Sequence, residues 1–129
     1  MAHQFQKHYT RKEARALLPQ IRRWLAQLAE QRQELQKREK RLQELMTPGR
    51  DVGGPLVHSW LRSMADVQTL LLEFYRREIQ IKDLERGLID FPALIHGKEV
   101  FLCWEKSEAD IGFWHDIESG YAGREKLED

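Results

Sequence analysis

A seven-residue repeat of apolar residues runs through the first third of the chain and restricts that region to a long helix. Apolar residues stand at positions 14, 21, 28, 35 and 42, a spacing that keeps one helix face apolar over many turns. Thr10 followed by Glu13 has the pattern of a capping box, which marks a helix start. The pattern predicts one helix over residues 10–46.

A second helix is predicted after a strong helix-breaking segment. Proline and glycine interrupt residues 47–54, and a broad apolar face then continues over residues 55–79. Two long helices joined by a loop of about eight residues most naturally form an antiparallel hairpin. The seven-residue repeat gives this hairpin coiled-coil character.

The apolar period changes from 3.6 to 2 after the second helix. Residues 83–87 have the pattern of a tight turn, with Asp83 as its cap and Gly87 free to adopt a positive φ. Strands are predicted over residues 88–95, 98–105 and 111–116, the first two joined at His96–Gly97. We therefore expect one α+β domain over residues 1–129. It comprises a long antiparallel helical hairpin packed with a small three-stranded antiparallel sheet, and the sheet with its C-terminal loop occupies residues 83–124.

The middle predicted strand is apolar on both faces. Val100, Leu102 and Trp104 alternate with Phe101 and Cys103. One helical hairpin can cover only one face of a sheet, so the other face requires a second cover. Because symmetric dimers are the commonest oligomers, this pattern predicts a homodimer.

Composition limits the compartment and the partners. The chain has 129 residues, 33% of them charged, and no apolar run approaches the ~20 residues that span a bilayer. A single cysteine favours a reducing cytoplasm. Residues 11–46 carry ten Lys/Arg against five Asp/Glu, whereas residues 80–129 carry six against twelve. We expect the basic part to face the acidic part of this chain or of a partner subunit. Nucleic acid binding is disfavoured, because no aromatic residue interleaves the basic run after Trp24.

The residues most suited to chemistry lie in the C-terminal part. His115–Asp116 offers metal-ligating groups, with Asp90 as a third candidate, but neighbouring side chains of a strand point to opposite faces. The alternative is that both residues only hydrogen-bond the backbone. Tryptophans of the sheet would stack on a ligand, or serve as core anchors. The candidate ligand site comprises Asp83, Asp90, Trp104, Glu108, Trp114, His115, Asp116 and Arg124. Cys103 is interpreted as a buried small hydrophobic residue.

Several short motifs resemble an uncharacterised prokaryotic family, domain of unknown function 2203, over nearly the whole chain. The motifs are Tyr9–Thr10, residues 13–19, 81–84 and 87–93, Leu102–Trp104, Glu108, residues 114–116 and residues 120–124. The chain departs from the family pattern at Glu78, where glycine is usual, and at Ser107 and Ala109, where glycine and proline are typical. The resemblance implies a fold and a bacterial origin, and it implies no activity or cofactor.

Two functions are compatible with this sequence. The first is a non-enzymatic, self-associating helical interaction or scaffold domain with a protein partner along its helices. The second is a metal- or small-ligand-binding domain, including an undiscovered enzyme, that uses the acidic, histidine and tryptophan residues of the sheet. No nucleotide-binding loop, nucleophile elbow or Cys-x-x-Cys motif occurs in the chain, so the first function is favoured.

Overall fold

The computed structural model describes residues 3–46 and 54–128, so most of the predicted breaker segment, residues 47–53, lies outside the described residues. The described residues form the two predicted α-helices, α1 (Arg11–Leu45) and α2 (Gly54–Arg76), and a short 3-10 helix at Tyr121–Gly123. The capping box forms: the Thr10 N–H donates to Glu13 Oε1 at 3.0 Å, and the Glu13 N–H donates to Thr10 Oγ1 at 3.1 Å. The chain divides into two compact units, residues 1–23 with 73–129, and residues 24–72.

The sheet has five antiparallel strands in the order β1-β2-β3-β4-β5, which confirms the α+β class and corrects the prediction of three strands. The strands are β1 (Gln80–Asp83), β2 (Leu88–Ile95), β3 (Lys98–Glu105), β4 (Phe113–Asp116) and β5 (Glu125–Lys126). The two outer strands escaped prediction because their sequences lack a clear apolar alternation. β5 has only two residues, both charged and exposed, and β1 is a four-residue strand directly after a helix.

Two tight turns set the register of the central strands. His96 and Gly97 both have positive φ, 51° and 79°, the backbone of a two-residue hairpin turn. This turn places Asp90 directly opposite Cys103. Before β2, Asp83 Oδ1 accepts the Arg86 N–H at 3.1 Å and Gly87 has a φ of 65°, as the turn pattern predicts.

The first face of the sheet carries Phe91 and Trp104 and packs with the N-terminal part of the chain. Tyr9 meets Phe91 edge to face at 5.7 Å, and its N–H donates to the Pro92 carbonyl at 2.7 Å. Pro92 lies beyond the end of β1, whose pairing stops at Asp90, so its missing N–H leaves no ladder bond unmade. The Arg22 guanidinium lies 4.9 Å from the Trp104 ring centroid, which places this turn of α1 on the first face.

The second face of the sheet is covered within one chain, by segments from both termini. Phe5 packs against Phe101 with ring centroids 5.4 Å apart. The Arg124 guanidinium lies 3.7 Å from the Phe113 ring centroid and reaches Cys103 Sγ at 4.0 Å. Phe101 is 3% exposed and Cys103 is 0% exposed in the single chain. The second face therefore needs no second copy, and the argument that predicted a homodimer from this face was wrong.

Two glutamates hold the N-terminal segment in place by accepting its backbone N–H groups. Glu99 Oε1 and Oε2 accept the N–H groups of Gln4 and Phe5 at 2.8 and 3.1 Å. Glu78 Oε1 accepts those of Gln6 and Lys7 at 3.0 and 2.9 Å. Charge-assisted bonds of this kind are stronger than neutral ones. These hydrogen bonds offset the conformational entropy that the N-terminal segment loses when it is ordered. The ordered segment allows Phe5 to cover the sheet.

Glu78 makes these bonds from an unfavourable backbone conformation. Its φ is +58°, a left-handed value that costs a residue with a Cβ roughly 1–2 kcal/mol and that glycine adopts freely. The resemblance described above implies glycine at this position, and the positive φ is a physical reason for such a preference. At this position, two hydrogen bonds from the N-terminal segment to the Glu78 carboxylate offset the cost of the backbone conformation.

We expect Glu78→Ala to lower the free energy of unfolding by about 1–2 kcal/mol, because it removes the acceptor and keeps the strained backbone. Glu78→Gly removes the same acceptor but relieves the strain, so it should be about 1 kcal/mol more stable than Glu78→Ala. Urea unfolding of the three proteins measures both differences. Equal stability of the two variants would contradict the assigned strain.

Candidate functional site: a buried Asp–Cys–His cluster

Three adjacent strands each contribute one polar side chain to the centre of the second face. Asp90 comes from β2, Cys103 from β3 and His115 from β4, and the pairing places all three on the same face. Their carboxylate oxygen, sulfur and ring nitrogen lie within 4.8 Å of one another. The three residues are 1%, 0% and 2% exposed. Burial of three such groups together is costly unless they satisfy one another or bind a ligand.

The hydrogen bonds of His115 define which ring nitrogen carries a proton. Nδ1 lies 2.7 Å from the backbone carbonyl oxygen of Asp116. A carbonyl oxygen only accepts, so Nδ1 is the donor. In a neutral imidazole this leaves Nε2 as an acceptor, and Nε2 lies 2.9 Å from Asp90 Oδ2. The backbone of β4 therefore aims the lone pair of Nε2 at the carboxylate.

A lone pair on Nε2 and an ionised carboxylate cannot bond each other without a cation between them. In the isolated protein one proton fills this role, carried either by the imidazole or by the carboxyl group. In both arrangements the pair has no net charge, which is the arrangement that burial tolerates best. The geometry thus requires one shared proton, or a metal ion in its place, between Asp90 and His115.

The remaining acceptor of Asp90 is poorly satisfied. Oδ1 is buried and accepts no hydrogen bond from an N–H or O–H group among the described residues. Burial raises the pKa of Asp90, and the neighbouring His115 and the Cys103 thiol offset part of that rise. Burial, reinforced by the Asp90 charge, also raises the pKa of Cys103 to about 12, so this group is a thiol at neutral pH. An unreactive thiol and an incompletely bonded carboxylate lie side by side.

An ion pair between Arg124 and Glu108 closes the cluster on its outer side. Arg124 Nη2 and Nη1 donate to Glu108 Oε2 and Oε1 at 2.7 and 3.2 Å, a two-pronged geometry. The two side chains are 15% and 19% exposed. Nη1 also approaches Cys103 Sγ at 4.0 Å. The guanidinium is thus held next to the sulfur while its charge is balanced by Glu108.

The other predicted site residues lie elsewhere. Asp83 caps its turn. Asp116 turns its side chain away from His115, and its Oδ1 lies 2.8 Å from Lys98 Nζ. Trp104 is 0% exposed on the first face, where its Nε1 donates to the Glu108 carbonyl at 3.0 Å, and Trp114 lies on that face opposite Leu102. The structure therefore brings together Asp90, His115, Glu108 and Arg124 from the predicted set.

Cys103 is the member of the cluster that the sequence interpretation missed. Its apolar neighbours in β3 favoured a simple core position. The signal that identifies it is the hairpin turn, because a two-residue turn at His96–Gly97 fixes Cys103 opposite Asp90. The position of His115 has no such signal, since β3 and β4 are joined by an irregular connection.

Comparison with known proteins identifies the family. The family model for DUF2203, described as an uncharacterized conserved protein, matches residues 7–127. The chain belongs to DUF2203. No curated protein and no solved structure matches this chain. The region matched to DUF2203 contains all three cluster residues and the Glu108–Arg124 pair, so the site lies within the family's own region.

The description of DUF2203 names no activity, so the function of this chain must be inferred from the geometry of its residues. Among the described residues, no helix combines the length and the apolar character needed to cross a membrane.

Proposed function

We propose that this protein is a non-enzymatic bacterial interaction domain of the cytoplasm that forms a homodimer through α2. The observation that carries the proposal is an exposed apolar stripe on α2, here called the outer stripe: Val57, Leu61, Met64, Gln68 and Leu71. Its spacing of four and three residues is that of a coiled-coil seam. Val57, Leu61 and Leu71 are 37%, 51% and 39% exposed.

A second apolar stripe on α2, the inner stripe, supports an antiparallel hairpin with α1. The inner stripe consists of Trp60, Ser63, Val67 and Leu70, and these side chains are buried or half-buried. Arg38 Nη1 donates to Ser63 Oγ at 2.7 Å, and Trp60 Nε1 donates to Glu39 Oε1 at 3.3 Å. Arg38 thus bonds to Ser63, and the next residue, Glu39, bonds to Trp60, which comes earlier in the chain than Ser63. This order is that of an antiparallel pair. With the inner stripe used by α1, the outer stripe is left for another helix.

The helical pair also lacks an apolar core over residues 29–46 and 54–72. In residues 29–46 and 54–72, Ser63 is the one residue that is buried, and no apolar side chain there is buried. Helices in water derive most of their stability from packing an apolar face, so two helices this long with so little burial are poorly stabilised. Association that covers the outer stripe supplies the missing burial.

A second copy of the chain is the occupant that fits this stripe best. The stripe is a helix seam, and each copy offers an identical one, so two pairs complete a four-helix bundle. Charge does not oppose the contact: residues 29–46 carry five Lys/Arg and four Asp/Glu, and residues 54–72 carry one of each. The lone polar position, Gln68, is the kind of residue that sets the register of paired helices.

Light scattering after size-exclusion chromatography tests the proposal, with the protein loaded over a wide concentration range. We expect a dimer for the natural chain. Leu61→Glu combined with Leu71→Glu should weaken the dimer by at least about 100-fold, because each buried leucine contributes roughly 1.5–3 kcal/mol and each glutamate adds a buried charge.

The matched control places two glutamates at exposed positions of the same helix away from both stripes, as His58→Glu with Thr69→Glu. This control should remain dimeric with the helix content of the natural chain, measured by circular dichroism. The dissociated stripe variant should lose part of that helix content, because its helices lose the burial that association supplies. A natural chain that stays monomeric at every concentration, or a control that dissociates as fully as the stripe variant, would overturn the proposal.

A further inference from the structure

We propose that the Asp90–Cys103–His115 cluster is a binding site for a divalent transition metal ion, with Zn²⁺ as the best fit. This inference is independent of the proposed self-association, because it concerns different secondary-structure elements and different residues. It rests on the identity of the three ligand groups, on the orientation of His115 and on the unsatisfied oxygen of Asp90.

The ligand set matches the preferences of zinc. A carboxylate, a thiolate and an imidazole nitrogen are each common zinc ligands. With zinc–ligand bonds of about 2.0–2.3 Å, the N, O and S atoms on a tetrahedral ion lie about 3.3–3.7 Å apart. Here Nε2 and Oδ2 are 2.9 Å apart, and all three ligand atoms fall within 4.8 Å. Shifts of about an ångström therefore bring them to the required distances.

His115 is already oriented as a metal-ligating histidine. Such residues donate their second ring N–H to a carbonyl or carboxylate, which fixes the tautomer and aims the free nitrogen at the ion. Nδ1 of His115 makes this bond with the Asp116 carbonyl at 2.7 Å. Oδ1 of Asp90 adds a buried acceptor that lacks an N–H or O–H partner among the described residues. An ion between the ligands would bond groups that the protein alone leaves partly unsatisfied.

The net charge of the cluster does not change when a divalent ion replaces two protons. Without metal, the cluster holds one proton shared by Asp90 and His115 and one proton on the Cys103 thiol, and its net charge is zero. A divalent ion displaces both protons and then faces one carboxylate, one thiolate and one neutral imidazole, again with zero net charge. Burial therefore does not penalise the loaded state through net charge.

The Arg124–Glu108 pair completes the site as an outer support. Once Cys103 is a thiolate, Arg124 Nη1, now 4.0 Å from Sγ, is placed to donate a hydrogen bond to the sulfur. Glu108 holds the guanidinium by two bonds and balances its charge, so Arg124 does not oppose the ion. In this assignment Arg124 and Glu108 position the ligands and do not bind the metal.

Titration of the chelator-treated 129-residue chain with Co²⁺, a spectroscopic substitute for Zn²⁺, tests the proposal. Metal should be added both to the folded protein and during refolding, because the cluster is buried. We expect one ion per chain and a thiolate-to-cobalt charge-transfer absorption. Cys103 is the one cysteine of the 129-residue chain, so this absorption assigns the ligand without a variant. Absence of the absorption under both conditions overturns the proposal.

Two variants test whether the metal binds at the Asp90–Cys103–His115 cluster. Cys103→Ser should abolish the absorption and weaken Zn²⁺ binding by at least about 100-fold, whereas His8→Gln should bind as the natural protein does. His8 is the matched control because His3, His8 and Glu99 form a second metal-competent group.

The number of protons released on binding tests the replacement of two protons by one ion. Calorimetry in buffers of different ionisation enthalpy should give close to two protons released per Zn²⁺. Release of one or none, or loss of binding in His8→Gln, contradicts the proposal.

Discussion

Asp90→Ala is expected to lower the free energy of unfolding by about 3–5 kcal/mol in chelator at neutral pH. Asp90 is 1% exposed, and its Oδ2 is the partner of His115 Nε2 at 2.9 Å. Alanine would leave the imidazole in an almost dry environment with Nε2 unpaired, and it would leave a void where the carboxyl group had been. Breaking one side of a buried polar pair costs far more than the pair contributes, because the remaining group keeps its desolvation penalty. Urea unfolding at one fixed protein concentration measures the loss.

Asp90→Asn is the control that separates the hydrogen bond from the charge. Because the Asp116 carbonyl fixes the proton of His115 on Nδ1, Nε2 can accept an N–H from an asparagine amide at position 90. No shared proton is then needed. We expect a loss of about 1 kcal/mol, well below that of Asp90→Ala. Equal losses in the two variants would show that the assigned tautomer is wrong.

Trp104→Ala is expected to cost about 3–5 kcal/mol, the second large effect. The indole is 0% exposed on the first face of the sheet, with the Arg22 guanidinium over its ring. Its removal leaves a large void between β3 and α1 that the rigid sheet cannot close. The same unfolding measurement tests this value. A loss below about 1.5 kcal/mol would contradict the role of Trp104 as a core anchor.

Trp104→Phe separates ring volume from the hydrogen bond of the indole. This variant keeps most of the buried volume but removes the N–H that donates to the Glu108 carbonyl at 3.0 Å. Arg22 Nη2 still donates to that carbonyl at 2.8 Å, so the acceptor is not orphaned. We therefore expect a loss of about 1–2 kcal/mol. A loss as large as that of Trp104→Ala would assign the effect to the hydrogen bond and not to packing.

The two proposals also predict independent behaviour. The outer stripe lies on α2, whereas the metal ligands lie on three strands of the sheet. A variant that dissociates the dimer, such as Leu61→Glu with Leu71→Glu, should therefore keep its stoichiometry for Co²⁺. Cys103→Ser should in turn keep the dimer. Each experiment can fail without affecting the interpretation of the other.

Local signals predicted the local structure well. The capping box of Thr10 and Glu13 and the turn at His96–Gly97 depend on residues within three positions of each other, and both form as the sequence indicates. The outer strands β1 and β5 were missed. Their residues pair because neighbouring strands present open edges, which a short, polar sequence does not reveal.

The segments that cover the second sheet face could not be predicted from the sequence. Its apolar pattern correctly indicated burial, but the covering groups come from distant parts of the chain. Phe5 contacts Phe101 from the N-terminal segment, and Arg124 reaches Cys103 from 21 residues away. A repeating pattern in one strand identifies the need for a cover and contains no information about which segment provides it.

The sequence by itself determined the two helices, the α+β class, the register of β2 against β3 and the family, because these follow from short-range spacing and backbone preference. The tertiary structure alone decided that His115, 25 residues away from Asp90, joins Asp90 and Cys103. The physical reason is that such contacts depend on the packing of whole strands. The free energy that aligns β4 beside β3 comes from many buried groups at once, and no single residue pattern encodes it.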